Sequence, residues 1–272
     1  MPVLSVDGAE LSYQTYGEGT PFLFLARTAG HGEAWKLHQV AEFSRDHRVI
    51  ICDQRGTGKS SAGGTDFSTQ RLADDAAALL QHLGARNAVV LGHSNGGRVA
   101  QALALDHPEL VSRLILASSG GAHHSQGIPI RMCVELVEKG YARYVREHSL
   151  DVGFTRGFAQ AHPDIVARVL GVLLADPPPL SVFLGHVVGR QGYDPTPRLK
   201  DLRIPTLVMV GDDENRGAQH GTTHKQFAER LVAAIPNAQL AVIPNQGHYY
   251  LYADPATTHR VIREFLAAKG RP

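Results

Sequence analysis

A serine between two glycines is the first group in this chain that could do chemistry. The stretch Gly92–Gly96 reads Gly-His-Ser-Asn-Gly, with an apolar run before it and a segment of helical periodicity after it. A sharp turn from strand to helix holds such a serine in a strained conformation, and the flanking glycines leave room for the crossing backbones. The pattern therefore predicts that Ser94 is an exposed nucleophile rather than part of a chance turn.

A serine hydroxyl attacks a carbonyl carbon only when a base removes its proton. His248 is the best candidate among the 15 histidines, because it follows Gly247 in a loop between a predicted strand and the last predicted helix. The base needs a carboxylate to fix its tautomer. Residues 212–214 are Asp, Asp and Glu and directly follow a predicted strand, whereas residues 118–121 contain no acid. We expect one of residues 212–214 to orient His248.

These loops must meet at one edge of a sheet, and the order of the predicted elements provides for this. Strands and helices alternate before about residue 120 and after about residue 203, which predicts an α/β fold with a mostly parallel central sheet and helices on both faces. The predicted strands cover residues 21–26, 47–52, 87–91, 110–117, 205–210 and 239–243, after two short strands within residues 3–16; the predicted helices include 68–83, 226–235 and 255–268.

A different pattern separates the two alternating parts. Between about residues 120 and 203 the strand signal fades, and short helical stretches alternate with breaks such as three consecutive prolines at 177–179. Such an insertion is expected to cover the carboxyl edge of the sheet, where folds of this type bind ligands. We expect a core of residues 1–120 and 201–272 and a helical lid of residues 121–200.

Composition excludes several classes of protein. The formal net charge of +1 gives no indication of a nucleic-acid or membrane partner, and Cys52 and Cys133 form no disulfide or metal pattern. The N-terminus lacks a basic region followed by an apolar core, and residues 166–189 are too interrupted to span a bilayer. We expect a cytoplasmic protein with a small-molecule substrate; the sequence leaves open whether it is a homo-oligomer.

On these motifs the chain resembles the α/β-hydrolase fold superfamily over nearly its whole length. The motifs are the turn Asp53-x-Arg55-Gly56-x-Gly58-x-Ser60, the stretch around Ser94, the acids after Gly211, and Gly247-His248, in the family's order of serine, acid and histidine. The resemblance implies that the acid is the third residue after Gly211, which is Glu214. The following loop is longer than usual, so Asp213 stays open as the alternative.

The resemblance also implies an oxyanion hole formed by the backbone amides of Thr28 and Asn95. Relatives carry His-Gly just before the first of these donors, whereas this chain has Ala26-Arg27. Two interpretations stay open. The change is harmless drift, since a backbone donor does not depend on the side chain, or Arg27 reaches the pocket and binds a substrate carboxylate or oxyanion.

Two other patterns invite a different function. The stretch Gly56–Ser60 is similar to a phosphate-binding loop, but Asp53 stands where that motif requires glycine, so a structural turn held by Asp53 and Arg55 is expected. His31, the pair at 123–124 and the histidine at 220 lack the spacing of metal ligands, so no metal is expected.

The sequence therefore predicts a cofactor-free serine hydrolase that forms an acyl-enzyme. The apolar residues of the predicted lid favour a small or medium, largely apolar ester, lactone or related acyl substrate. The same scaffold is also compatible with C–C bond hydrolysis, perhydrolysis or cofactor-free oxygenation. A ligand-binding or signalling protein with this fold is the alternative from outside the enzymes.

Overall fold

The computed structural model describes residues 1–121, 127–212 and 223–268, and the side chains of residues 127–129 are not described. Both candidate acids, Asp213 and Glu214, lie outside the described residues, as do His123, His124 and His220.

One sheet of eight strands organises the described residues, in the order β1-β2-β4-β3-β5-β6-β7-β8. The first two strands pair antiparallel with each other, β2 pairs antiparallel with β4, and every later pairing is parallel. The predicted mostly parallel sheet is therefore confirmed. The strands are β1 (Val3–Val6), β2 (Ala9–Tyr16), β3 (Thr20–Leu25), β4 (His47–Cys52), β5 (Ala88–His93), β6 (Val111–Ala117), β7 (Thr206–Gly211) and β8 (Ala238–Ile243).

Helices cover both faces of this sheet. Side chains alternate between the faces along each strand, so Phe22 and Phe24 enter one apolar cluster while Leu23 and Leu25 enter the other. The helices are α1 (Gln39–Phe43), α2 (Thr69–His82), α3 (Asn95–Asp106), α4 (Gly127–Lys139), α5 (Tyr141–His148), α6 (Arg156–Ala161), α7 (Pro163–Leu174), α8 (Leu180–Gly189), α9 (His224–Ala234), α10 (Tyr250–Ala253) and α11 (Pro255–Ala267).

The register of the parallel strands aligns their carboxyl ends. Gly92 of β5 lies opposite Leu25 of β3 and Leu116 of β6, while Ala117 lies opposite Met209. Gly211, at the end of β7, pairs with Ile243 at the end of β8. The loops that follow β3, β5, β7 and β8 therefore leave the sheet at the same edge, as the sequence predicts for the candidate site.

Helices α4 to α8 occupy the segment between β6 and β7, where the strand signal fades in the sequence. Their buried residues, among them Leu136, Val169 and Phe183, join the same apolar cluster as Trp35 of the core. His186 of α8 also lies 3.0 Å from the carbonyl oxygen of Arg55 through its Nε2. The segment is thus packed on the core, and its action as a lid stays a prediction.

The turn after β4 has a structural role. The carboxylate of Asp53 accepts the backbone N–H groups of Gly32 at 2.8 Å and Lys59 at 2.9 Å. Arg55 forms a buried ion pair with Asp75, with 2.6 Å between Nη2 and Oδ1. The expected turn held by Asp53 and Arg55 is confirmed, in place of a phosphate-binding loop.

No helix among the described residues has both the length and the apolar character needed to cross a membrane.

Candidate active site

Ser94 lies in a strained turn between β5 and α3. Its backbone has φ +57° and ψ −116°, in the left-handed half of the map that residues other than glycine rarely adopt. The serine N–H donates to the carbonyl of Ala117 at 2.8 Å, and its own carbonyl accepts from Gly97 at 3.1 Å. These bonds hold a backbone conformation that costs about 1–3 kcal/mol, and residues strained in this way are concentrated at functional sites.

The two glycines around Ser94 are required by close backbone contacts. A Cβ on Gly92 would overlap the carbonyl of Gly96, and a Cβ on Gly96 would overlap the carbonyl of Leu25. The glycine spacing seen in the sequence therefore reflects the crossing of β3, β5 and the start of α3. Ser94 itself is half-buried.

The loop that carries His248 is fixed by the helical segment. The N–H of His248 donates to the carbonyl of Val152 at 3.0 Å, and that of Tyr249 donates to Gly153 at 2.8 Å. A Cβ on Gly247 would lie 2.8 Å from the carbonyl oxygen of Gly153. Residues 152–153 and the histidine loop thus form one unit.

A direct bond joins the serine turn to the histidine loop. Nε2 of His93, the residue before Ser94, lies 3.0 Å from the carbonyl oxygen of His248 and must donate, because a carbonyl only accepts. The hydroxyl of Ser118 also donates to this carbonyl, at 3.4 Å. Within the described part of the chain no hydrogen bond joins the Ser94 hydroxyl to the His248 ring; catalytic bonds are often long in the absence of substrate.

Among the described residues, the groups that act on the His248 ring are positive or neutral. The pKa of His248 is held well below its usual range, mainly by burial and to a smaller extent by the nearby His224, His93, His148 and Arg27. The rings of His93 and His224 each lie 5.0 Å from the His248 ring, centroid to centroid. The imidazole is therefore neutral at neutral pH, the form that can accept a proton.

The Nδ1 atom of His248 is buried and has no hydrogen-bond partner among the described residues. Of the three acids considered in the sequence, only Asp212 is described. Its carboxylate accepts the N–H of Gln246 at 3.3 Å, so it supports the backbone of the histidine loop. A carboxylate for the His248 Nδ1 must come from elsewhere, and Asp213 and Glu214 lie outside the described residues.

The candidate oxyanion donors lie at the same edge of the sheet. The Thr28 side chain is 8% exposed, and Asn95 is 1% exposed at the first turn of α3. Neither backbone N–H donates to an acceptor among the described residues. The Asn95 amide lies at a helix start, where N–H groups carry partial positive charge. The role of the two amides as an oxyanion hole stays a prediction.

Arg27 lies inside the site and is half-buried. Its guanidinium lies near the phenol groups of Tyr141, Tyr249 and Tyr252 and interacts with them electrostatically. Its positive charge also lowers the pKa of His93 and His248. Both interpretations that the sequence left open for Arg27 stay predictions at this point.

Sequence reasoning missed two histidines beside His248 and one arginine beside Thr28. His224 begins α9, His148 ends α5, and Arg190 follows α8, and each reaches the site only through tertiary packing. No motif surrounds them in the sequence. Across the described ranges there is also no group of three or more His, Cys, Asp or Glu side chains that could hold a metal ion.

Comparison with known proteins gives a family match. Residues 21–172 match the family model described as alpha/beta hydrolase fold, which covers more than half of the chain. The matched range includes the Ser94 turn and most of helices α4 to α7.

Individual relatives are similar over almost their full length. The chain is 28% identical over 270 residues to the putative carbamate hydrolase RutD of Azorhizobium caulinodans, covering 97% of this chain and 98% of the relative. It is 27% identical to a non-heme haloperoxidase of Rhodococcus erythropolis, covering 97% and 98%. Among solved structures, Est816, described as an N-acyl homoserine lactone degrading enzyme, is 28% identical with a TM-score of 0.78, covering 97% and 100%.

Proposed function

We propose that this chain, which belongs to the α/β-hydrolase family, is a serine hydrolase that cleaves a small or medium ester, lactone or related acyl compound. Ser94 would be the nucleophile and His248 the general base. Glu214, or alternatively Asp213, would orient His248 through its Nδ1. The amides of Thr28 and Asn95 would stabilise the oxyanion.

The observation that carries the proposal is the bond between the two loops. His93 lies directly before Ser94, and its side-chain Nε2 donates to the backbone carbonyl oxygen of His248 at 3.0 Å. This bond fixes the backbone of the base close to the backbone of the nucleophile. The strained conformation of Ser94 supports the same roles, because it directs the hydroxyl away from the sheet.

The reaction follows from these positions. His248 takes the proton of Ser94 as its Oγ attacks the substrate carbonyl carbon, and the amide pair binds the negatively charged oxygen. The leaving group accepts the proton from His248, and an acyl-enzyme remains. Water then attacks the ester, again with His248 as base, and releases the acid and the free serine.

The helical segment of residues 121–200 would act as a lid. Its residues Val152 and Gly153 accept hydrogen bonds from the loop of His248, so its position is coupled to that of the base. Together with residues 1–120 and 201–272 as the catalytic core, this arrangement would limit the access of bulk water to the site while the acyl-enzyme forms.

The relatives support acyl transfer. Est816 is described as degrading an N-acyl lactone and RutD as a putative carbamate hydrolase. A lactone and a carbamate each contain a carbonyl carbon bonded to a leaving group, so the proposed substrate class fits the relatives' descriptions. The small molecule would be the only partner the reaction requires.

Perhydrolysis is a second candidate, because one relative is described as a non-heme haloperoxidase. In this reaction hydrogen peroxide replaces water as the group that attacks the acyl-enzyme, and the product is a peracid. The same serine and histidine would serve both reactions. Adding peroxide to an ester assay and measuring peracid would detect it.

The proposal is tested with p-nitrophenyl esters of increasing acyl length. We expect turnover by the wild type and a loss of kcat/KM by about a thousandfold or more in Ser94→Ala. Ser112→Ala is the matched control, since Ser112 lies near the opposite end of β6 and binds the carbonyl of Asn87. Turnover that survives in Ser94→Ala would overturn the proposal. Asp213→Asn and Glu214→Gln, compared in the same assay, identify the acid.

A further inference from the structure

Two arginine side chains approach Thr28 from different elements. Nη1 of Arg190, which follows α8, donates to the Thr28 hydroxyl at 2.9 Å. Nη1 of Arg27 lies 3.5 Å from the Thr28 carbonyl oxygen. Because the amide of Thr28 is a proposed oxyanion donor, both guanidinium groups lie close to where the substrate carbonyl would bind.

Neither guanidinium has a carboxylate partner among the described residues. Arg55, by contrast, forms a buried ion pair with Asp75. Arg190 is only 9% exposed, and besides Thr28 its other acceptor is the sulfur of Met132 at 3.2 Å, which is a weak one. The Nε atoms of Arg27 and Arg190 are buried with no acceptor in the same part of the chain.

The neighbours of these two arginines cannot neutralise them. Arg27 interacts with three tyrosines, and Arg190 with Tyr144 and Cys133. Burial raises the pKa of Tyr144 to about 12, and that of Cys133 is also raised by burial, so both stay neutral at neutral pH. Buried charges in proteins are ordinarily paired or hydrogen-bonded, since leaving them unpaired is costly.

The two positive charges act on one region of the site. Both oppose protonation of His148, and both act on the phenol of Tyr144. Those two rings stack on each other at 5.7 Å with an interplanar angle of 10°. Both guanidinium groups therefore lie within electrostatic range of the same stacked pair, and an anion beside it would be attracted by both. The carboxylate of Glu135 also acts on these rings, but it is paired with Lys139 at 3.3 Å.

We propose that Arg27 and Arg190 bind a carboxylate of the substrate, so that the natural substrate is an ester or lactone whose acyl part carries a negative charge. The planar guanidinium fork matches a carboxylate with two parallel hydrogen bonds. This inference rests on the proposed serine hydrolase function and narrows its largely apolar substrate to an anionic one. The apolar residues of α4 to α8 would enclose the carbon chain between the carboxylate and the scissile bond.

Two p-nitrophenyl esters with the same number of acyl carbons test the proposal. The mono-p-nitrophenyl ester of glutaric acid carries a free carboxylate, and p-nitrophenyl valerate does not. We expect the wild type to have the higher kcat/KM on the glutarate ester. In Arg27→Met and Arg190→Met the ratio of the two kcat/KM values should fall by about 10- to 100-fold, the effect of losing a hydrogen bond to a charged group.

Arg113→Met is the matched control. Arg113 also binds backbone carbonyls, at Phe265 and Ala268, but it lies near the start of β6, away from the site. The ratio should stay at its wild-type value in this variant. Arg27→Lys should recover only part of the loss, because an ammonium keeps the charge without the fork. A wild type that prefers valerate, or arginine variants that lower both esters equally, would overturn the carboxylate assignment.

Binding of glutarate to the Ser94→Ala protein, measured by calorimetry, separates this proposal from the function on which it rests. Glutarate that binds Ser94→Ala, and binds at least tenfold more weakly when Arg27→Met or Arg190→Lys is added, supports the carboxylate site even if neither ester is hydrolysed. If valerate ester hydrolysis requires Ser94 but glutarate binding does not depend on the two arginines, the hydrolase function stands and the carboxylate site is overturned. Arg190→Lys also guards against a folding defect in Arg190→Met.

Discussion

Replacing His186 by glutamine removes one buried imidazole from the contact between α8 and the core. His186 is fully buried, its Nε2 lies 3.0 Å from the Arg55 carbonyl, and its Nδ1 has no partner among the described residues. Burial lowers the pKa of His186 to about 4 from 6.5, against the opposing effect of the bond to Arg55. Glutamine keeps an N–H donor for that carbonyl and does not titrate.

The sign and size of the pH effect follow from these two values. Between the unfolded pKa of 6.5 and the folded pKa of about 4, the unfolded chain binds the proton and the folded chain does not. The free energy of unfolding therefore falls as the pH falls through this window, and above it the group has no effect. One pKa unit corresponds to about 1.36 kcal/mol. His186 therefore lowers the free energy of unfolding by about 2 kcal/mol at about pH 5, and by about 3 kcal/mol at a pH below both pKa values.

Urea unfolding at about pH 7.5 and about pH 5 measures this, with fluorescence of the buried Trp35 as the signal. Other histidines add to the acid sensitivity, such as the half-buried His259, whose pKa desolvation also lowers to about 4. The comparison is therefore between variant and wild type. The loss of unfolding free energy between the two pH values should be about 2 kcal/mol smaller in His186→Gln. His162→Gln, at an exposed position, is the control. Equal losses in His186→Gln and wild type would refute the reasoning.

Three further predictions concern the site. Gly96→Ala should lower the free energy of unfolding by about 1–3 kcal/mol and reduce kcat, because the added methyl overlaps the Leu25 carbonyl; urea unfolding and ester turnover measure both. Arg27→Met should shift the acid limb of the pH profile of kcat/KM to higher pH, because the arginine charge lowers the pKa of His248. An acid limb at the same or a lower pH would contradict this. His93→Phe should reduce kcat by about tenfold with little change in KM, since it removes one hydrogen bond that positions His248; a change confined to KM would argue against that role.

Local patterns were sufficient to predict the sheet and the serine turn. Apolar runs of strand length mark β3 to β8, and the start of α2 was predicted from Ser68, whose hydroxyl accepts the N–H of Arg71 at 3.2 Å. The role of the glycines around Ser94 could be predicted because the need for glycine is local. Each faces a backbone carbonyl that a Cβ would overlap.

The surroundings of His248 could not be predicted in the same way. His148 ends α5 and Arg190 directly follows α8, and both reach the site only because the segment between β6 and β7 folds back onto the core. Their side chains have no periodicity or motif that distinguishes them from other lid residues. The role of Asp212 is a further example, since its bond to the N–H of Gln246 depends on the pairing of β7 with β8.

Arg27 shows where a departure from a family pattern was informative. The sequence has an arginine where the resemblance implies glycine, and it left the role of this residue open between drift and substrate binding. The structure surrounds it with tyrosines and no described carboxylate, which led to the proposed anion site. The sequence pattern identified Arg27 as an unusual residue, and only the packing around its side chain indicated that it could bind an anion.

Labelling with a fluorophosphonate tests the activation of Ser94 most directly. After trypsin digestion, mass spectrometry should find the label on the peptide of residues 87–98, at Ser94, and on no site in Ser94→Ala. Labelling should be strongly slowed in His248→Asn, and Ser112, in the next peptide, should stay unlabelled. Absence of label from residues 87–98 in the wild type, or labelling at an unchanged rate in His248→Asn, would contradict the account.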